Sequence, residues 1–395
     1  MSTFADGLRR LRVQRGLSQR DLAERVIYDP SYIAKLEAGR TPSERAAREL
    51  DVALSARGDL IAAAHLDQAA RRDTNPSATT DLLARLRRAD AGAATLDQLA
   101  IEVEQLCCRY VHDDPSQLRT ETHGLLRRVS GVLRRGSPSL RAHTELLVQA
   151  GWLALLAGCL EYDMGLSASA ENTRVGAIQL GREAGASEIV GWGYEMAAWF
   201  ALTSGRYEDV LDHARAGQNA APEHGVRLQL LGQEAKALAR LGDVDGLRRV
   251  LDLGQSLLDQ YGNKGRTDNH FVIDTQKWPF YSMDAMRLAG ATETAAEYAQ
   301  IVIDTHTTAD GQVTSPMRVA EARLTLAVAA ARAGELEQAV DGGIAALAAA
   351  RQSLPSLLMV AGELDAELQA QYRGAPEAQT YRSAVRDLQA ALGNG

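Results

Sequence analysis

Apolar positions recur at three- and four-residue spacing along most of the chain, the signature of amphipathic helices. Between residues 4 and 64 the pattern divides into five short segments. In residues 4–15, Leu8 and Leu11 share a face, and Gly16 ends the helix. Ser18 caps a second segment with Leu22, Ala23 and Val26 turned inward, and Asp21 stands at the capping-box position. Asp29 as N-cap and Pro30 at the first helical position open a third, over residues 30–38. It buries Ile33 and Leu36 and leaves Ser31, Tyr32 and Lys35 outside; Gly39 ends it. A fourth helix starts at Ser43 with Ala46, Ala47 and Leu50 inward, and a fifth covers Leu60 and Ile61.

Residues 65–80 are polar, hold Pro76 and lack sustained periodicity, so they read as a linker between a domain at 1–64 and a second at 81–395. In the second, Gly165, Gly205, Gly242, Gly290 and Gly334 each separate two helical patterns. An apolar residue follows each by five positions: Ala170, Val210, Leu247, Ala295 and Ala339. The intervals are 40, 37, 48 and 44 residues, and Gly374 adds a sixth after 40 more. Two helices per unit at such a period predict an α-solenoid.

Composition agrees with an all-α chain: Ala and Leu abound, and aromatics make up only 5%. No apolar run approaches the roughly 20 residues that span a bilayer, and the N-terminus has no signal-peptide pattern. Cys107, Cys108 and Cys159 are too few for a disulfide framework, so the expected compartment is the cytoplasm. The net charge of -8 argues against nucleic acid until it is divided. Residues 1–72 hold 13 Lys/Arg and 10 Asp/Glu, or +3, which leaves 30 and 41, or -11, for the rest. A basic head on an acidic body permits DNA binding by the head.

The run Gly16-Leu17-Ser18-Gln19-Arg20-Asp21-Leu22-Ala23, followed by Ser31-Tyr32-Ile33-Ala34-Lys35-Leu36-Glu37-Ala38-Gly39-Arg40, resembles the helix-turn-helix of the XRE, or phage-repressor, family. The resemblance implies a third helix lying in the major groove of an inverted-repeat operator, with Ser31, Tyr32 and Lys35 reading bases. Gln19, which opens helix two, and Arg40, past helix three, would touch phosphates, and Arg20 is a further DNA-binding candidate. Arg12 and Glu37 match positions that form an internal ion pair in some phage repressors. Pro30 departs from the pattern, standing where some members carry a base-reading Gln. The body resembles degenerate tetratricopeptide repeats, although Leu156 and Cys159 replace the Gly and Tyr expected after Trp152 and Leu155.

No phosphate loop, dinucleotide fingerprint, nucleophile elbow or zinc spacing is present, so no catalytic residue, metal or cofactor is expected. Of the 19 aromatic residues, 12 lie between Trp152 and Tyr281, which reads as core or as the lining of a ligand groove. Residues 261–281 break the helical rhythm with mixed polar and aromatic side chains. Candidate ligand contacts are therefore Trp152, Trp192, Asn263, Arg266, Asn269, His270, Trp278 and Tyr281. The expected protein is a homodimeric transcription regulator whose repeats bind a peptide or small-molecule signal; the alternative is a DNA-tethered scaffold for a partner protein.

Overall fold

The computed structural model describes residues 4–73, 93–135, 139–261, 268–273, 277–349 and 351–393. Among them are 19 helices and one isolated antiparallel bridge, Thr307 with Val313. The chain is all-α and forms two compact units, 1–88 and 89–395.

The first unit packs α1 (Phe4–Gln14), α2 (Gln19–Val26), α3 (Pro30–Glu37), α4 (Glu44–Ala53) and α5 (Asp59–Asp73) around Phe4, Leu8, Leu22, Ile33, Leu36, Leu50 and Leu60. Local signals place the boundaries. Ser18 and Asp21 form a complete capping box, Asp29 caps α3 ahead of Pro30, and Ser43 caps α4. Two features are not local. Helix α5 continues through Asp73, into the stretch that reads as linker; residues 74–80 of that stretch lie outside the described residues. The α4–α5 turn carries Ser55, Arg57 and Gly58 at positive φ, and buried Asp51 holds it by accepting from the amides of Gly58 (2.9 Å) and Leu60 (3.1 Å).

The second unit begins with α6 (Ala93–Arg109) and α7 (Pro115–Arg135). Six helix pairs follow. They are α8 (Leu140–Asp163) with α9 (Ser167–Ala184), α10 (Ser187–Thr203) with α11 (Tyr207–Ala220), and α12 (Val226–Leu241) with α13 (Val244–Tyr261). Then come α14 (Lys277–Leu288) with α15 (Thr292–Thr305), α16 (Pro316–Ala333) with α17 (Leu336–Leu347), and α18 (Leu354–Gln371) with α19 (Pro376–Gly393). All six repeat glycines sit in the turn inside a pair at φ between 72° and 99°, a region a Cβ makes costly. The apolar residue five positions after each of the first five is buried.

The first helix of each pair packs on the first helix of the next, from α8 through α10, α12, α14 and α16 to α18. Helix α18 also touches α8 and α10, so these six helices close into a ring. The closure is polar and buried. Arg351 Nη2 lies 2.7 Å from Asp163 Oδ2, the Tyr110 hydroxyl donates to the same oxygen at 2.7 Å, and Trp199 Nε1 donates to Ser356 Oγ at 2.8 Å. Across the ring, Arg240 binds Asp284 (3.1 Å) and Glu363 (2.8 Å), while Arg287 binds Glu363 (2.8 Å), Thr325 (2.7 Å) and Asp284. Those two arginines tie α12, α14, α16 and α18.

Helix α8 is long and apolar enough to cross a bilayer by length and composition, which the sequence reading did not single out. Most of it is buried in the unit, and its last turns carry Glu161 and Asp163 in ion pairs, so this is a core surface.

Removing one partner of a buried pair strands the other charge. Arg351→Ala should therefore lower the stability of the second unit by about 3–5 kcal/mol in urea denaturation. Arg128→Ala, which breaks the largely exposed pair with Glu102, should cost about 1 kcal/mol or less. Equal losses would show that ring closure contributes nothing special.

Candidate nucleic-acid interface and interior cavity

One carboxylate organises the head. Glu37, on the last turn of α3, receives Arg12 through two bonds, Nε to Oε1 at 2.6 Å and Nη2 to Oε2 at 3.0 Å. Gln19 Nε2 donates to the same Oε2 at 2.8 Å, and Arg12 Nη1 donates to the Leu17 carbonyl at 2.7 Å. Helices α1, α2 and α3 thus meet at Glu37. Burial pushes this carboxyl up, but the bonds from Arg12 and Gln19 and the charge of Arg12 outweigh it, so it titrates below the usual glutamate value.

The outer face of α3 presents Ser31 and Lys35 to solvent, with Tyr32 half-buried. The Tyr32 ring lies 5.1 Å from the Tyr28 ring on one side and 5.4 Å from the Arg40 guanidinium on another. Tyr28 is itself fixed by its hydroxyl, which donates to Glu49 at 2.5 Å. Sequence reasoning missed Tyr28; it sits in the turn rather than on a helix face. Arg20 is exposed, 3.5 Å from Glu24. Gln19, read as a backbone contact, is oriented by Glu37 and has one amide hydrogen left beyond that bond. A model of the helix-turn-helix domain matches residues 3–64. The head is a helix-turn-helix DNA-binding domain. No curated protein matches the chain.

The second unit holds a cavity of about 130 Å³ lined from all six ring helices. Its polar wall includes Glu195 of α10, Gln229, Gln233 and Lys236 of α12, and Ser315, Arg318 and Glu321 at the start of α16. Both Gln229 (3.0 Å) and Gln233 (2.7 Å) donate to Glu195 Oε1. Burial raises the Glu195 carboxyl despite those bonds and pushes Glu321 up to about 7. Lys236 lies 3.7 Å from Asp284 and 5.0 Å from the Phe280 ring centre.

Of the candidate ligand residues that are described, two line this cavity and the others do not. Tyr281 and His270 line it, and the Tyr281 hydroxyl binds Gln229. The His270 ring lies tilted against Tyr110, centres 3.9 Å apart; burial, then the charges of Lys277, Arg318 and Arg351, hold it well below the usual histidine value. Asn269 and Trp152 line a neighbouring pocket of about 260 Å³. Trp192 is core, and so is Trp278, whose ring occupies the space a Cβ at Gly254 would need. Asn263 and Arg266 lie outside the described residues.

Residues 268–273, read as part of a ligand loop, enter the interior. Asn269 Oδ1 accepts the Phe271 amide at 2.9 Å, the His270 amide donates to the Cys107 carbonyl at 3.3 Å, and Phe271 is buried against Trp152 and Trp192. Lys277 Nζ donates to the carbonyls of His270 (3.0 Å) and Val272 (2.7 Å), which spares the turn unpaired buried acceptors. The residues that sequence reasoning missed are Glu195, Gln233, Arg318 and Glu321. Each reads as the polar position of an amphipathic helix until ring closure turns it inward.

Because the Glu37 carboxyl titrates below its unfolded value, the stability it contributes is present above pH about 4.3 and is lost as pH falls through the folded value. Glu37→Gln should cost the head about 1–2 kcal/mol at pH 7, with the gap to the parent closing below pH 4. Hydrogen exchange at the buried Leu22 and Ile33 amides in the full chain reads this directly. A gap that stays constant from pH 7 to pH 3 would remove the charge from the account.

Proposed function

We propose that the protein is a sequence-specific transcription regulator of the XRE type. Its head reads an inverted-repeat operator, and its tetratricopeptide-like body binds a signal that controls operator binding. The observation that carries the DNA half is the exposed face of α3, with Ser31 and Lys35 free to reach base edges while Glu37 fixes the helix against α1 and α2. Lys35 is long enough to donate to guanine O6 or N7. Arg40 lies over the Tyr32 ring and is exposed, suited to a phosphate beside the helix.

The effector half rests on the cavity. A helical stack that closes into a ring and leaves a small polar chamber suits a compact signal better than an extended protein segment, which would need an open trough. This favours the ligand-responsive regulator over the DNA-tethered scaffold. The reading carries no catalytic role and places the protein in the cytoplasm as a homodimer, since one head of this size gains specificity by pairing two half-sites.

The test is DNA binding by the full chain to an operator selected from random sequence. Lys35→Ala should weaken binding by about 1–3 kcal/mol and relax preference at one base pair per half-site. Arg40→Ala should weaken all sequences about equally and lower the salt slope by about 1. The half-site centres should lie about 34 Å apart, or a multiple of that, with a dimer in light scattering. If Lys35→Ala leaves both affinity and preference intact, α3 does not read bases through this face.

A further inference from the structure

The ring cavity has hydrogen-bonding capacity that the protein leaves unused, and it is of two kinds. Ser315 stands at the N-cap of α16, only 4% exposed, and its hydroxyl makes neither a capping bond nor any other. Arg318 and Glu321 follow at three-residue spacing, so the three side chains lie one turn apart on a single face, and all three line the cavity. Among the described residues, Arg318 has no carboxylate within ion-pair distance; its one side-chain partner is His306, 3.1 Å away. Glu321 accepts no hydrogen bond at its carboxylate among those residues. Facing them, Gln233 is 5% exposed and donates to Glu195; this fixes the amide and leaves its Oε1 without a donor. Ser315 Oγ and Gln233 Oε1 are therefore buried without a partner, and half-buried Arg318 and buried Glu321 stand beside them with bonding capacity to spare, one of each sign. Leaving buried polar groups unpaired is costly, and a molecule that satisfies both sets is favoured.

Charge and size narrow the occupant. Lys236 is committed to Asp284, Lys277 to the carbonyls of His270 and Val272, and Glu195 to Gln229 and Gln233, which leaves Glu321 against Arg318, one charge of each sign. That balance suits a molecule carrying both charges and unbalances around either one alone. An engineered cavity of about 150 Å³ in another protein holds benzene, so about 130 Å³ suits a single small molecule and not a peptide. The remaining walls include Leu202, Met317, Trp199 and Phe280, which suit a short apolar side chain.

We propose that this cavity binds a small zwitterion of the free α-amino acid class, its carboxylate held by Arg318 and Ser315 and its ammonium by Glu321 and Gln233. The idea rests on the effector reading above for its biological use, not for the binding itself. An amino acid bound this way joins α12 to α16 across the ring, which is the coupling a signal needs.

Calorimetry on the full chain tests it with three matched probes: L-leucine, 3-methylbutylamine, which lacks the carboxylate, and 4-methylpentanoate, which lacks the amine. Leucine should bind, and each analogue should bind about tenfold more weakly or worse, since each forfeits a charge-assisted set of bonds. Arg318→Gln should abolish the advantage of leucine over the amine, and Glu321→Gln its advantage over the acid. Ser315→Ala, which leaves every charge in place, should weaken leucine and the acid but not the amine. Overturning results are leucine binding no better than an analogue, no leucine binding at millimolar concentration, or a charge preference that survives both variants. Operator affinity measured with and without leucine separates the two ideas. Bound leucine that leaves operator affinity unchanged would sink the effector reading and leave the amino-acid site standing.

Discussion

The pair of Arg351 with Asp163 determines what the second unit is. Together with the bond from Trp199 to Ser356, it holds the six helix pairs in a closed ring rather than an open stack. With it, residues 188 positions apart are bound at 2.7 Å inside the protein, and the inner face becomes the wall of a chamber. The pair is buried, so its attraction has to offset the removal of two charges from water. Tyr110 and the backbone around it share that load, the hydroxyl binding Asp163 and the carbonyl accepting from Arg351 at 3.3 Å. Everything polar that the chamber displays follows from this closure.

The head applies the same device on a smaller scale. Glu37 sits at the end of the helix that faces DNA and collects a bidentate arginine from α1 and an amide from α2. A recognition surface is useful only if its side chains arrive in a fixed relation, and a shared carboxylate supplies that at low cost in core volume. The contacts of Tyr28 with Tyr32 and of Tyr32 with Arg40 continue it on the surface. There the cation over the ring limits where the guanidinium can travel.

Much of this was legible in the sequence wherever the cause is local. Ser18, Asp29 with Pro30, and Ser43 are caps whose chemistry acts within a few residues, and they set the helix starts as the sequence predicts. The six glycines were legible because each turn needs a left-handed residue. The match of Arg12 with Glu37 followed from the helix-turn-helix resemblance. What was not legible depends on partners far away in the chain. Nothing near Arg351 announces Asp163, and nothing near Phe271 announces the pocket of Trp152 and Trp192 that takes it. The aromatic concentration drew attention to Trp278, yet its environment is set by the missing side chain of Gly254. The cavity wall came instead from charged and amide residues on ordinary amphipathic helices.

Ring closure also changes how the unit comes apart. In an open stack each repeat touches only its neighbours, so stability adds up locally and damage at one end stays there. A closed ring has no ends. Its last contacts, those of Arg351 with Asp163 and with a carbonyl 241 positions away at Tyr110, form only once every intervening pair is in register. Such distant contacts pay their loop-closure entropy before they return anything. The six pairs therefore behave as one cooperative body, in which loosening any turn weakens the far side as well.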